Sequence, residues 1–211
     1  MSKQPRIIPA VIASNQDEFD ASLRKVMSFA PIIQLDVMDG VFVPSRSLDF
    51  DLRLPEGPHY QAHLMVADVQ RYVKRFRSSA GTLIIHAESL RDVEADVEKL
   101  KTHGVSLFLA LNPETPVERI EPVIGRLDGV MVMTVNPGKY GSRFLPECLD
   151  KVEELKALRR SLTVEVDGGM VPETVRLARR KGVDLFTSGS YIMKSPDPLG
   201  AYRELEEAAQ G

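Results

Sequence analysis

Four ionisable side chains lie near the ends of β-type runs that are otherwise mostly apolar. They are Asp36 in IQLDVMDG, His63 in YQAHLMV, His86 in LIIHAE and Asp167 in VEVDGG. Two carboxylates that flank a bound carbon could act as base and acid, removing a proton from one face and returning one to the other. A buried carboxylate needs a cation, a metal ion or good donors to offset its lost hydration. A divalent metal ion would meet this need and would also polarise a neighbouring carbonyl group.

Glycine-containing segments follow the last two of the predicted strands. VDGGM and TSGSY place Gly168, Gly169, Gly189 and Ser190 where barrel enzymes commonly hold a phosphate group with backbone N–H groups. A third such segment, NPGKYGSRF, follows the sixth predicted strand. Each glycine pair alone is typical of ordinary turns. Their position on two adjacent strands favours a phosphate site.

Short apolar runs alternate with segments of helical period along the whole chain. This alternation predicts a closed (β/α)8 barrel, formed by residues 1–211 as a single domain, with an open doubly wound sheet as the competing architecture. The segment 45–58 is interrupted by Pro55, Gly57 and Pro58, so we expect the second helix to be shortened or irregular. The eight predicted strands are 6–12, 32–37, 60–66, 82–86, 106–111, 129–135, 162–167 and 184–188.

Composition narrows the class of protein. The 211 residues are 43% hydrophobic and carry a formal net charge of −3, without a basic tract that would bind nucleic acid. No run of about twenty apolar residues predicts a membrane span. The single Cys148 cannot form an internal disulfide. We therefore expect a cytoplasmic protein with a small-molecule partner, and with neither nucleic acid nor a membrane as partner.

The segments LDVMDGVFVP, AHLMV, HAE, LNPETP, MTVNPG and VEVDGG occur in this order and resemble the ribulose-phosphate 3-epimerase family over nearly the whole chain. The resemblance implies a (β/α)8 barrel that interconverts D-ribulose 5-phosphate and D-xylulose 5-phosphate, both phosphorylated ketoses. It implies Asp36 and Asp167 as the acid and base pair. The resemblance is also compatible with a homo-oligomer. The resemblance further implies that Asp36, His63 and Asp167 bind a metal ion, usually zinc or iron. It implies that Met38, Met65 and Met133 line the reacting face, and that Gly141 contacts the phosphate group.

The sequence departs from the family's pattern around the expected site. Gln34 stands where the family usually has a metal-binding His, and an amide oxygen is a weaker zinc ligand than an imidazole nitrogen. Metal affinity should therefore fall, or preference should shift toward manganese or magnesium, or the metal should be absent. Ala10 replaces a usual Ser, and Lys139 and Tyr140 replace Phe and Gly. Two alternatives follow: a related epimerase or isomerase of another sugar phosphate, and a non-catalytic sugar-phosphate-binding homologue. The role of His86 stays open.

Overall fold

Eight parallel strands close into a barrel in the computed structural model, which describes residues 6–138 and 141–211. The first strand pairs with the second and with the last, so the sheet has no open end and the doubly wound alternative is wrong. The strands are β1 (Arg6–Val11), β2 (Ile32–Asp39), β3 (Arg46–Ser47), β4 (His59–Met65), β5 (Thr82–His86), β6 (Ser106–Leu111), β7 (Gly129–Met133), β8 (Thr163–Asp167) and β9 (Leu185–Ser188). All except the two-residue β3 belong to the barrel wall. The predicted (β/α)8 barrel is confirmed.

Helices surround the barrel and bury one apolar face each. In α1, for example, Phe19, Leu23 and Val26 recur at helical spacing and are buried. The side chain of Asn15 caps this helix by accepting the N–H of Glu18. The helices are α1 (Gln16–Val26), α2 (Val69–Phe76), α3 (Val93–Lys101), α4 (Asp150–Leu158), α5 (Pro172–Arg180), α6 (Ser190–Met193) and α7 (Pro198–Gln210). Within the described residues, no helix is both long and apolar enough to cross a membrane.

In the described part of the chain, two of the connections between neighbouring barrel strands contain no α-helix. Between β2 and β4 the chain forms only β3, which runs antiparallel to the end of β2. The expected reduction of the second helix is thereby confirmed. Between β6 and β7 lie two short 3₁₀ turns, Val117–Arg119 and Glu121–Val123, which the sequence pattern did not single out. Both connections are rich in proline, which removes backbone donors from a helix.

The barrel interior has an apolar side and a polar side. On the side of β5, β6 and β7, Ile84, Phe108 and Met131 form a buried cluster. Gly129 gives the Phe108 ring its space, because a Cβ atom at position 129 would lie 2.4 Å from that ring. This side contributes mainly packing, and His86 at the end of β5 is its ionisable group.

On the polar side, the strands carry polar residues two positions apart, which places them on the same face. The pairing of β2 with β4 sets Gln34 opposite Gln61 and Asp36 opposite His63. The side chains therefore form two stacked layers. The deeper layer contains Gln34, Gln61 and Glu165, and the layer nearer the carboxyl ends of the strands contains Asp36, His63 and Asp167.

Candidate active site

A cavity of about 300 Å³ opens at the carboxyl ends of the strands. Gln34 lies directly beneath it and is fully buried. Ala10 also lines the cavity, whereas Lys139 and Tyr140 lie outside the described residues. All the other residues that the sequence predicted for the site line it: Asp36, Met38, His63, Met65, Met133, Gly141, Asp167, Gly168, Gly169, Gly189 and Ser190.

Asp36, His63 and Asp167 converge at the floor of this cavity. His63 Nδ1 lies 3.3 Å from Asp36 Oδ1 and 3.3 Å from Asp167 Oδ2. Burial alone would lower the pKa of His63, but the two carboxylates raise that pKa to about 9. Burial raises the pKa of Asp36, and the charge of Asp167 adds to this shift. The donor atoms of the three residues lie within 4.8 Å of one another, so the group could hold a metal ion.

Gln34 turns its amide nitrogen toward these three residues. Its Nε2 donates to Asp36 Oδ1 at 2.8 Å and to Asp167 Oδ2 at 2.7 Å, and it lies 3.3 Å from His63 Nδ1. The nitrogen of a neutral amide is a donor and offers no lone pair to a metal ion. Gln34 therefore presents the end of its side chain that cannot ligate.

Polar groups of two other strands surround the amide oxygen of Gln34. Gln61 Nε2 donates to Gln34 Oε1 at 2.8 Å, and Thr187 Oγ1 lies 3.2 Å from it. The same Gln61 and Thr187 groups donate to Glu165 Oε1 at 2.7 Å and 2.6 Å. Burial raises the pKa of Glu165 to about 7. Its second oxygen, Oε2, has no hydrogen-bond partner within residues 6–138 and 141–211.

The arrangement of Gln34 does not fit a metal ion at the centre of the site. A zinc ion lies about 2 Å from its nitrogen and oxygen ligands. An ion bound to the Asp36, His63 and Asp167 donor atoms would lie beside the Gln34 amide nitrogen, which is 2.7 to 3.3 Å from all three and directs its positively polarised N–H groups at the two carboxylates. The group of three could accept an ion only after this amide had moved away.

His86 supports His63 from behind. Their Nε2 atoms lie 2.9 Å apart, and His86 Nδ1 lies 3.3 Å from Glu88 Oε2. Burial lowers the pKa of His86, which favours its neutral form. Burial would raise the pKa of Glu88, but hydrogen bonds from His86, Thr115 and the N–H of Asn112 lower it to about 2. A neutral His86 that donates to an ionised Glu88 can accept a hydrogen bond from the His63 Nε2–H group, which fixes the orientation of the His63 ring.

The glycines of the loop after β8 are required by the backbone itself. Gly168 and Gly169 have φ values of 115° and 67°, which residues with a side chain rarely adopt. A Cβ atom at position 168 would also lie 2.3 Å from a methyl group of Val135. The hydroxyl group of Thr134 donates to the carbonyl oxygen of Gly168 at 2.6 Å and holds the loop in place. A role in binding phosphate stays a prediction for these glycines.

Several residues that shape the site were not singled out from the sequence. Gln61 and Glu165 each lie two positions before a predicted site residue on the same strand, and this alternate spacing was the available signal. Thr187 carries no comparable local signal. Ser45 and Arg46, within the connection between β2 and β4, line the cavity as well.

Two carboxylates and an imidazole at the mouth of a closed (β/α)8 barrel are groups that enzymes use for proton transfer. A model of the Ribulose-phosphate 3 epimerase family matches residues 6–193. The chain belongs to this family, and the expected epimerase of a ketose phosphate, an isomerase acting on carbohydrates, is confirmed at that level.

Relatives agree with the family match. A protein named ribulose-phosphate 3-epimerase from Schizosaccharomyces pombe is 32% identical, covering 92% of this chain and 90% of the relative. The cytoplasmic isoform of ribulose-phosphate 3-epimerase from rice, Oryza sativa, is 31% identical, covering 98% and 95%. Among solved structures, 3-keto-L-gulonate-6-phosphate decarboxylase from Vibrio cholerae superposes with a TM-score of 0.72 at 14% identity, covering 98% of both chains. At that identity the likeness supports the fold alone.

Proposed function

We propose that this chain interconverts D-ribulose 5-phosphate and D-xylulose 5-phosphate by moving the proton at C3, with Asp36 and Asp167 as the proton carriers. The observation that carries the proposal is the convergence of the two carboxyl groups on one cavity, each 3.3 Å from His63 Nδ1. Family membership supplies the reaction class. The carboxyl groups and the cavity supply the means to perform it.

The electrostatics of the pair suit acid and base roles. An epimerase needs one carboxylate that accepts the C3 proton and one carboxyl group that returns a proton to the opposite face. Burial raises the pKa of Asp36, which favours the state in which one member of the pair is protonated and the other is ionised. His63, with a pKa of about 9, adds a nearby positive charge that offsets the ionised member.

The remaining lining residues fit a small phosphorylated ketose. The cavity of about 300 Å³ lies at the lower end of the range for small-molecule sites, which suits a five-carbon substrate. Its floor near the carboxylates includes the apolar side chains of Met38, Met65 and Met133. In this proposal the phosphate group contacts the backbone at Gly141, Gly168, Gly169, Gly189 and Ser190.

No step of the proposed reaction passes through zinc, iron, manganese or magnesium, because the Gln34 amide nitrogen, which cannot ligate, already donates to both carboxylates. The proposed location is the cytoplasm, which the name of the rice relative supports. A related ketose phosphate is a second candidate substrate. The observation that favours it is Ala10, which lines the cavity where the family usually has a Ser.

Asparagine substitutions test the proposal, since they keep the size of each side chain and remove its proton chemistry. We expect Asp36→Asn and Asp167→Asn each to lower kcat for ribulose 5-phosphate by at least about 1,000-fold. The exposed Asp51→Asn should leave kcat unchanged and serves as the matched control. Turnover is measured with a coupled assay for xylulose 5-phosphate, and circular dichroism verifies folding. Wild-type turnover in either site variant would refute the two-aspartate mechanism.

Replacing D-ribulose 5-phosphate with other ketose phosphates in the same assay decides between the two substrate candidates. The proposed function predicts that ribulose 5-phosphate has the highest kcat/KM. A ketose phosphate of another carbon skeleton with a kcat/KM more than about tenfold higher would instead establish the second candidate.

A further inference from the structure

We propose that the side-chain amide of Gln34 takes the place of a divalent cation in this site, joining the two carboxylates through its NH2 group, so that the folded protein does not take up zinc or manganese there. The proposal concerns the occupancy of the site. Only its catalytic meaning rests on the proposed function.

The hydrogen-bond partners determine which end of the Gln34 amide faces the carboxylates. An ionised carboxylate only accepts hydrogen bonds, a protonated carboxyl group keeps one accepting oxygen, and an amide NH2 group has two protons to donate. Gln34 Nε2 directs one to Asp36 Oδ1 at 2.8 Å and the other to Asp167 Oδ2 at 2.7 Å. Both protons are used, so the amide joins the two carboxylates as a bound cation would.

The deeper polar layer holds the amide in this orientation. Gln34 Oε1 accepts from Gln61 Nε2 at 2.8 Å, and Thr187 Oγ1 lies 3.2 Å from it. If the amide turned over to present its oxygen to a metal ion, its NH2 group would face the NH2 group of Gln61. Gln61 could turn in response only by giving up the hydrogen bond that it now donates to Glu165 Oε1 at 2.7 Å. Gln61 is therefore a positioning residue for Gln34.

Burial makes this arrangement persistent. Gln34, Glu165 and Thr187 are fully buried, and Gln61 is 3% exposed. Water therefore has little access to satisfy a turned amide. A buried polar group that loses its hydrogen-bond partner destabilises the protein. A network in which most groups have a partner therefore favours one orientation of each amide. The expected consequence is a site that discriminates against cations although Asp36, His63 and Asp167 retain suitable donor atoms.

Zinc uptake by the purified protein tests the proposal directly. Wild type, Gln34→His and Gln70→His are each stripped with a chelator, dialysed against zinc, and analysed for bound metal and for zinc affinity by calorimetry. Gln70 is exposed on α2, so Gln70→His adds a histidine away from the site and measures adventitious zinc binding. We expect wild type to match Gln70→His. Gln34→His should bind one zinc ion per chain at least about tenfold more tightly than either.

Anomalous X-ray diffraction from zinc-soaked crystals locates any bound ion. A zinc peak among Asp36, His63 and Asp167 in Gln34→His and none there in wild type supports the proposal. A peak at these residues in wild type, or equal zinc affinity in wild type and Gln34→His, overturns it. If Gln34→His does not fold, the wild-type titration decides: tight uptake of one ion at this site overturns the proposal, and its absence supports it.

The same samples separate this proposal from the proposed function. Turnover of ribulose 5-phosphate by chelator-treated wild type supports both. Absence of turnover by wild type with every ketose phosphate, together with absence of zinc or manganese uptake, refutes the proposed function and leaves the substitution of amide for cation intact. Turnover that requires added zinc or manganese, with the ion at the three residues, overturns the present proposal and retains the epimerase.

Discussion

Asp39 organises the loop that follows β2, and its replacement by Asn should destabilise the protein. Asp39 Oδ1 accepts the N–H groups of Val41 and Phe42 at 2.8 Å and 2.9 Å, and Oδ2 accepts the N–H of Ala67 at 2.7 Å. The carboxylate thus joins the β2–β3 turn to the segment after β4. Burial would raise the pKa of Asp39, but these three backbone donors lower it.

The expected magnitude follows from the two oxygens. An Asn at position 39 can keep one oxygen for the N–H groups of Val41 and Phe42, but its NH2 group then faces the N–H of Ala67. One hydrogen bond to a charged group is lost, worth about 1.5 to 3 kcal/mol. Ala67 is exposed, so water can reach its N–H group and no burial penalty is added. We expect Asp39→Asn to lower the free energy of unfolding by about 2 kcal/mol at neutral pH.

Urea denaturation of wild type, Asp39→Asn and the exposed Asp51→Asn measures this difference. Because the folded-state pKa of Asp39 is lowered, its contribution is present above the ordinary Asp pKa of about 4 and is lost as the pH falls through the folded-state value. The difference between wild type and Asp39→Asn should therefore shrink in acid, and Asp51→Asn should differ from wild type by less than about 0.5 kcal/mol. A loss below about 1 kcal/mol at neutral pH, or one unchanged in acid, would contradict this reasoning.

Three further substitutions probe the barrel interior and the loop after β8. The folded-state pKa of Glu165 is raised to about 7, so the free energy of unfolding of wild type should fall as the pH rises from about 5 to about 8. Urea denaturation over this pH range should show Glu165→Gln becoming about 2 kcal/mol more stable relative to wild type. Thr187→Val removes a donor to Glu165 and should cost about 1 to 2 kcal/mol. Thr82→Val, which loses only a 3.5 Å contact, is its control and should cost less. Gly168→Ala should cost about 2 kcal/mol or more, because its Cβ atom would overlap Val135; an unchanged melting temperature would contradict this.

The strands were the most predictable part of the fold. All eight predicted barrel strands occur within two residues of their expected bounds, because strands buried on both faces read as continuous apolar runs. The irregular second crossing was also predictable, since Pro55, Gly57 and Pro58 interrupt it. The two 3₁₀ turns between β6 and β7 were not, because that segment keeps apolar residues such as Val117, Ile120 and Val123 at helix-like spacing.

The positions of the ionisable groups were more predictable than which group donates and which accepts in the hydrogen bonds around them. Asp36 and Asp167 stand out by residue type at the ends of apolar strands. The direction of the Gln34 amide depends on Gln61, 27 residues away, and on Thr187, 153 residues away. Neither contact can be read from local sequence, because each requires the register between strands. A neutral amide also has two nearly isosteric ends, so only its partners determine which one faces the site.

The most direct test of the epimerase account is proton exchange at C3. Ribulose 5-phosphate is incubated in D2O with wild type that has been treated with a chelator, and C3 is followed by NMR. Xylulose 5-phosphate should form and carry deuterium at C3, because the proton of the second carboxyl group is replaced by deuterium from the solvent before it is transferred to C3. Asp36→Asn and Asp167→Asn should form no labelled product. An absence of both product and exchange with wild type, or xylulose 5-phosphate that keeps its original C3 proton, would contradict the proposed two-aspartate mechanism.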